Sequence, residues 1–137
     1  MKEKLYYPLW RFWYNYNPKQ LYRSARYFIQ RGNRGWSDRD WWSTHDYLTD
    51  IIPPMLRKQA THGIGYPGVL PYDTPKKWSK ILLEAADDIE AYRKHDELDF
   101  PNTKEEQEQY FINGEKAYKR TQKGMHFVAE NFGHLWD

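Results

Sequence analysis

Residues 31–56 read RGNRGWSDRDWWSTHDYLTDIIPPML, and this stretch indicates the fold class more clearly than any other part of the chain. Ser37 is a typical helix N-cap residue, and Asp40, three positions later, makes an acidic variant of the capping box. Large side chains then follow at spacings of four, three and four, as on one face of a helix: Trp41, His45, Leu48 and Ile52. We therefore predict a helix from Ser37 to about Ile52.

Pro53 and Pro54 follow directly, and a proline inside a helix lacks an amide hydrogen and clashes with the preceding turn. We expect a kink or break there, with the helix resuming to about Gln59. The next segment, HGIGYPGVLPYD at residues 62–73, contains three glycines and two prolines, which predicts one long loop.

Three further helices are predicted from their start signals and apolar spacing. Asn17 and Pro18 begin one that ends near Arg31, because Gly32 suits a left-handed C-terminal position. Thr74 and Pro75 begin another, which ends before residue 100 and carries the apolar face Trp78, Ile81, Leu82, Ala85, Ile89 and Tyr92.

The last helix begins at Lys104, behind a capping box of Thr103 and Glu106. Gly124 within it either bends it or lets a neighbour approach, and Leu135 and Trp136 are expected to fold back onto the body. No strand pattern is found. The sequence therefore predicts an all-α fold: a single-domain bundle of four to five helices over residues 18–137, behind an aromatic-rich arm at residues 1–17.

Composition narrows the function classes. The 137 residues include seven Trp, twelve Tyr and six Phe, so the core must be built largely from rings. With 29% charged residues and no apolar run of about 20 residues, no membrane association is expected. Cysteine is absent, which excludes disulfides and thiolate metal sites. No signal peptide is recognised, so we expect a cytoplasmic protein.

Charge is distributed unevenly along the chain. Residues 1–36 carry eight Lys/Arg and one Glu, a balance of +7, whereas residues 84–137 carry seven Lys/Arg and thirteen Asp/Glu, a balance of −6. Two interpretations remain open: the basic part meets an anionic partner, or it pairs with the protein's own acidic part. The arm, with LYYPLWRFWYNYN at residues 5–17, either packs on the core or stacks on bases or sugars.

The candidate site is a cluster of arginines among aromatic rings on both sides of a glycine-containing link. Arginine suits phosphate because its planar fork donates two hydrogen bonds, and rings stack on bases. In the long loop, two further side chains could close over the cluster. The candidate ligand-binding residues are Arg23, Arg26, Arg31, Arg34, Trp36, Arg39, His62 and Tyr66. The alternative is that the arginines are structural partners of Asp38, Asp40, Asp46 and Asp50.

Other chemistry has weaker signals. Glu84, Asp87 and Asp88 form an E-x-x-D-D run, with Glu105 and Glu108 as a second pair, which would suit magnesium in an all-α nucleotide pyrophosphohydrolase. Such runs are also typical of solvated faces, and no metal, cofactor or catalytic residue is predicted. An acidic helix start argues against sequence-specific DNA binding. Aromatic residues are enriched at subunit interfaces, so a chain with this many rings is compatible with a homo-oligomer.

Several short motifs occur together: RGWSDRDWW at 34–42, YLTDIIPPML at 47–56, GYPG at 65–68, TPKKW at 74–78 and FGHLWD at 132–137. In this combination the chain resembles a group of small all-α proteins encoded by tailed bacteriophages, from about residue 25 to its end. The resemblance carries no activity and no catalytic residue. It implies a phage accessory protein in a bacterial cytoplasm, which we expect to bind a nucleotide-like anion of host defence or to block a host protein.

Overall fold

The computed structural model describes residues 17–135, and this part of the chain is all-α, without a strand, as predicted. Six helices follow in order: α1 Pro18–Arg34, α2 Asp38–Trp42, α3 Thr44–His62, α4 Pro75–Ile89, α5 Ala91–Asp96 and α6 Lys104–Glu130, with a 3-10 turn at Phe132–His134. The predicted arm, apart from Asn17, and the predicted packing of Trp136 lie outside the described residues.

The chain divides into two compact units between Thr44 and His45. In the described residues, the first unit contains α1 and α2. The second unit contains α3 from His45 onward, together with α4, α5 and α6. Each unit is described by itself below. No helix among residues 17–135 is long and apolar enough to cross a membrane.

Helix α1 begins as predicted and ends later than predicted. The Asn17 side chain accepts a hydrogen bond from the backbone N–H of Lys19 at 3.0 Å, and Pro18 occupies the first turn. The predicted end near Arg31 is wrong, because Gly35, with φ of 80°, takes the left-handed position that was assigned to Gly32. The Gly35 N–H donates to the carbonyl of Arg31 at 2.9 Å and closes the last turn.

The predicted helix from Ser37 to Ile52 is two helices. Ser43, with φ of −128° and ψ of 61°, leaves the helical conformation between α2 and α3, so Trp41 does not share a helix with His45. Of the kink or break predicted at Pro53-Pro54, the break is absent, since α3 runs through both prolines to His62, and the kink stays a prediction. Pro53 and Leu56 are buried in the second unit, and this burial stabilises the helix at the point where the prolines cannot donate amide hydrogen bonds.

The core of the second unit confirms most of the face predicted for α4. Trp78, at 2% exposure, packs with Leu82, Ala85 and Ile89, and Leu56 of α3 joins them. Tyr72 from the long loop and Phe127 from α6 lie with their ring centroids 5.2 and 5.8 Å from that of Trp78. Leu135 packs on this core as predicted.

Gly124 lets α4 and α6 approach closely, which confirms one of its two predicted roles. A Cβ at this position would lie 2.7 Å from Cγ1 of Ile89 and 2.9 Å from the carbonyl oxygen of Ala85. Both distances are shorter than real Cβ contacts, so only glycine fits without a shift of the neighbouring backbone.

The predicted third helix is interrupted at Glu90, which separates α4 from α5. Thr121 of α6 satisfies the backbone groups at this interruption: its hydroxyl donates toward the carbonyls of Asp88 and Ile89, both at 3.1 Å, and accepts from the N–H of Tyr92 at 3.1 Å. A buried helix end needs such partners because unpaired backbone groups cost free energy.

Candidate functional site

The predicted site residues fall in both units. Arg23, Arg26, Arg31 and Arg34 lie on α1 and Arg39 lies on α2, with Trp36 in the link between these two helices. His62 is the last residue of α3, and Tyr66 lies in the loop behind it, in the second unit. The two groups are therefore treated separately.

A buried carboxylate organises the link between α1 and α2. Asp40 accepts hydrogen bonds from the backbone N–H and the hydroxyl of Ser37, at 2.7 and 2.8 Å, as expected for the predicted capping box. The guanidinium of Arg31 binds the same carboxylate with both arms, at 2.8 and 2.5 Å. These hydrogen bonds, Arg31 first, hold the pKa of Asp40 far below its usual range despite its burial.

A second carboxylate draws two more arginines together. Asp38 accepts from Arg26 at 2.7 Å, from the amide of Gln30 at 2.7 Å, and from Arg34. Its pKa is lowered, mainly by the hydrogen bond from Gln30 and then by that from Arg34. The Gln30 side chain also accepts from the Asp38 N–H at 2.9 Å, so it holds the first turn of α2 against α1.

The structural interpretation therefore applies to three arginines of the cluster, and the anion-binding interpretation stays a prediction. Arg26, Arg31 and Arg34 are ion-paired to Asp38 and Asp40, as the structural interpretation predicted. The other two aspartates named there have different neighbours, because Asp46 lies beside His45 at 3.3 Å and Asp50 pairs with Arg93.

A cleft of about 380 Å³ opens beside these ion pairs. We call it the arginine cleft, and it is lined by Arg23, Arg26, Tyr27, Asp38, Arg39 and Trp42. Three guanidinium groups face one carboxylate, which leaves the lining with an excess charge of +2. Arg39 has no carboxylate within ion-pair distance in the part of the chain that the structure describes.

Two of the lining residues had not been assigned to the site. Tyr27 accepts a hydrogen bond from Arg23 at 3.4 Å through its hydroxyl, one helical turn away, a spacing that is visible in the sequence. Trp42 is the last residue of α2, directly before the break at Ser43. Its ring is 77% exposed, and its centroid lies 5.1 Å from that of Trp41.

Trp36, the predicted stacking residue, already has a partner. The guanidinium of Arg34 lies 3.9 Å from the centroid of the Trp36 ring, a cation–π distance, and Arg34 Nε donates to the Trp36 carbonyl at 3.0 Å. A ligand that stacks on Trp36 would meet the other face of the ring. Trp42 offers a more exposed ring in the lining itself.

In the second unit, the two predicted loop residues lie at the surface. His62 contacts the hydroxyl of Thr61 through Nδ1 at 2.7 Å, and Tyr66 is exposed. Gly68, with φ of 72°, supplies a left-handed turn to the same loop.

The acidic run of α4 is neutralised by neighbouring cations. Asp88 pairs with Arg120 at 2.8 Å and Lys123 at 3.1 Å, Asp87 pairs with Arg57 at 2.7 Å, and Glu84 lies 3.7 Å from Lys80, its partner one turn earlier. Among residues 17–135 no group of three or more His, Asp or Glu could hold a metal ion. A hydrolase of the predicted kind would have to free these carboxylates first.

Comparison of the chain with protein-family models, with curated proteins and with solved structures finds no match in any of the three, so no activity is carried over from a relative.

Proposed function

We propose that the chain is a non-enzymatic binding protein whose arginine cleft takes a small anionic ligand of the nucleotide type. The observation that carries this proposal is the lining itself: three arginines and two aromatic rings around about 380 Å³, with a single carboxylate among them. The volume falls within the roughly 300–1,000 Å³ that small-ligand pockets occupy.

The chemistry of the lining matches an anion that carries a flat ring. Arg39 can donate a forked pair of hydrogen bonds to a phosphate without first leaving a carboxylate of residues 17–135. Trp42 exposes a ring on which a base can stack, an interaction worth about 1–3 kcal/mol per base. A neutral ring without a phosphate would stack on Trp42 but would make no ion pair with the arginines of the cleft.

The ion pairs of the first unit serve the cleft by fixing its arginines. Asp38 holds Arg26 at the cleft wall, and Asp40 holds Arg31 and the start of α2 in place. A side chain that is already positioned loses less conformational entropy when a ligand binds. In this proposal Arg31 and Arg34 support the site, whereas Arg39 and Arg23 contact the ligand.

The biological setting that we propose is a phage accessory protein that acts in a bacterial cytoplasm and counters host defence by sequestering a nucleotide-type signal. The motif combination at residues 34–42, 47–56, 65–68 and 74–78 supports the phage setting. Sequestration needs binding without turnover. The paired state of Asp87 and Asp88 agrees with that requirement.

A second candidate function is direct inhibition of a host protein. Helix α1 buries none of its 17 residues, and it exposes a row of large apolar side chains: Leu21, Tyr22, Phe28 and Ile29. Exposed apolar patches of this kind are typical of protein interfaces, including those of homo-oligomers. The two candidates use different parts of α1, so they are separable by mutation.

Native mass spectrometry of protein purified from phage-infected cells tests the proposal directly. We expect a co-purifying anion of nucleotide mass that is lost when the sample is exchanged into high salt, because screening weakens exposed charge interactions. A co-purifying host protein, unaffected by Arg39→Ala and lost in Phe28→Ala, would support the inhibitor instead. Protein that carries neither, and that binds none of a panel of nucleoside phosphates, would contradict both candidates.

A further inference from the structure

A second cleft, of about 520 Å³, lies between α5 and α6 in the second unit. We call it the aromatic cleft, and the side chains that define it are Tyr92, His95, Asp96, Tyr110, Glu115 and Tyr118. It lies in a different unit from the arginine cleft, and its lining has the opposite charge.

The spacing of residues on α6 creates one wall of this cleft. Tyr110, Gly114 and Tyr118 recur every four residues and so share a face of the helix. Gly114 lets the His95 ring approach the helix, since a Cβ there would lie 3.0 Å from Cε1 of His95.

His95 is held in a defined orientation. Its Nε2–H donates to the carbonyl oxygen of Tyr110 at 3.0 Å, and its ring centroid lies 4.3 Å from that of Tyr110. A carbonyl can only accept, so Nε2 carries a proton in this contact. The floor of the cleft is therefore fixed before any ligand arrives.

Tyr92 and Tyr118 form a second wall. Their ring centroids are 5.5 Å apart and their planes meet at 74°, so a ligand in the cleft meets aromatic surfaces in two orientations. Tyr92 is 38% and Tyr118 49% exposed. These rings make contacts with each other, yet a large part of each remains open to solvent.

The charge of the lining selects the sign of the ligand. Asp96 and Glu115 line the cleft, and no Lys or Arg does. Glu115 pairs with Lys119 at 2.7 Å, whereas Asp96 has no cation within ion-pair distance among residues 17–135. The surrounding sequence, residues 84–137, has a balance of −6, which attracts cations over a longer range.

We propose that the aromatic cleft is a binding site for an organic cation, an alkylated ammonium or guanidinium group held between tyrosine faces and Asp96. Aromatic rings attract such cations through their quadrupole when the charge lies within about 6 Å of the ring centroid. A carboxylate at the rim adds a direct charge interaction. An anion would be repelled by Asp96, and a neutral alkyl group would gain no charge interaction from it.

The first test separates charge from shape. Choline and its neutral isostere 3,3-dimethyl-1-butanol are titrated into the full chain while ring protons are followed by NMR. We expect shifts of the Tyr92, Tyr110 and Tyr118 resonances with choline, and at least fivefold weaker binding of the neutral compound. Equal binding of both compounds would overturn the proposal, because it would show an apolar pocket without charge selection.

The same titration with acetyl-trimethyllysine amide and acetyl-arginine amide identifies the source of the cation. Tighter binding of an amino-acid amide than of choline points to a side chain of a polypeptide partner, and the reverse order points to a free small molecule. Absence of ring shifts with all three cations at millimolar concentration would overturn the proposal.

Variants then locate the site. We expect Tyr118→Ala and Asp96→Asn each to weaken binding of the best cation at least threefold, and Tyr118→Phe to retain most of it because the ring is kept. Phe132→Ala is the matched control, since it removes an exposed ring of the same unit outside the cleft. If Phe132→Ala weakens binding as much as Tyr118→Ala, the site lies elsewhere. Circular dichroism confirms that each variant is folded.

Discussion

Asp40 is a buried carboxylate of the first unit. Its charge is balanced by Arg31, whose side chain is partly exposed to solvent. Its pKa is lowered chiefly by Arg31, so it remains ionised at neutral pH and needs a cation in place. Removing one partner of such a pair leaves an uncompensated buried charge. Arg31 is half exposed, so water replaces part of the lost interaction.

Arg31→Ala should lower the free energy of unfolding of the first unit by about 1–3 kcal/mol, less than a fully buried pair would lose. Urea unfolding followed by tryptophan fluorescence measures the change. Arg39→Ala is the control, because Arg39 has no carboxylate partner among the described residues, and it should stay within about 0.5 kcal/mol of wild type. Equal stability of all three proteins would show that the Arg31–Asp40 pair contributes nothing.

Glu90 links α3 to the interruption between α4 and α5. It accepts from Arg57 at 2.5 and 3.0 Å and from Lys94 at 2.8 Å. The hydrogen bonds from Arg57, followed by those from Lys94, lower the pKa of Glu90 from 4.5 to about 2. A lowered folded-state pKa stabilises the protein above the unfolded value, and this contribution is lost as pH falls through the folded value.

Glu90→Gln should therefore destabilise the second unit by about 1–3 kcal/mol at pH 7, and this difference from wild type should shrink between about pH 4.5 and pH 2. Thermal unfolding of both proteins across that range measures it. Glu97→Gln is the control, since Glu97 is an exposed carboxylate one turn beyond Arg93. A difference that stays constant with pH would mean that the Glu90 carboxylate is not preferentially ionised in the folded state.

Glycines 32 and 124 show how one residue type has opposite effects at two places. Both lie within helices, but a Cβ at Gly32 meets nothing within 4 Å, whereas at Gly124 it would meet Ile89 and the Ala85 carbonyl. Gly124→Ala should destabilise the second unit by about 1–3 kcal/mol through overpacking. Gly32→Ala, the matched control, should stabilise α1 by about 0.5–1 kcal/mol. Differential scanning calorimetry measures both, and a neutral Gly124→Ala would contradict the close approach of α4 and α6.

At the scale of elements, start signals were more informative than stop signals. Asn17, Thr74 and Thr103 each cap a helix where the sequence predicts one, because a capping side chain acts on the two or three residues that follow it. The interruptions at Ser43 and Glu90 were missed. At Glu90 the partner is Thr121 of α6, which is distant in sequence, so a local pattern cannot reveal that interruption.

The sequence predicts only part of the arrangement of the candidate residues, again because a local pattern shows neighbours along the chain and not distant contacts. The convergence of Arg26 and Arg34 near the link follows from the chain's local order. Each residue turns a helix by about 100°, so a break at Ser43 moves Trp41 and Trp42 off the face that a continuous helix would give them. His95 in the aromatic cleft was not singled out, although Tyr110, Gly114 and Tyr118 show a visible i,i+4 pattern.

Two tryptophans that the sequence places alike are placed differently by the structure. Trp78→Ala should destabilise the second unit by about 3–5 kcal/mol, because Trp78 is the largest side chain of its core. Trp41→Ala should change stability by less than about 1 kcal/mol, since that ring is 58% exposed. Chemical denaturation compares them directly. A large loss in Trp41→Ala would mean that this ring is buried in solution.

At the scale of the molecule, the first unit remains basic after its own ion pairs are formed. Residues 17–44 carry six Lys/Arg and two Asp, a balance of +4, and both aspartates are occupied by arginines. The second unit also pairs its charges internally, as with Arg57–Glu90 and Arg120–Asp88. This arrangement favours an external anion as the partner of the remaining positive charge.

Isothermal titration calorimetry of ATP into wild type, Arg39→Ala and Lys76→Ala is the most direct test of the arginine cleft as an anion site. Lys76→Ala removes the same charge from the exposed first turn of α4, outside the cleft lining. If ATP binds in the cleft, Arg39→Ala loses about 1.5–3 kcal/mol of binding free energy while Lys76→Ala binds like wild type. Raising the salt concentration weakens ATP binding by wild type and by Lys76→Ala. Equal affinity of Arg39→Ala and Lys76→Ala would contradict binding of ATP in the cleft.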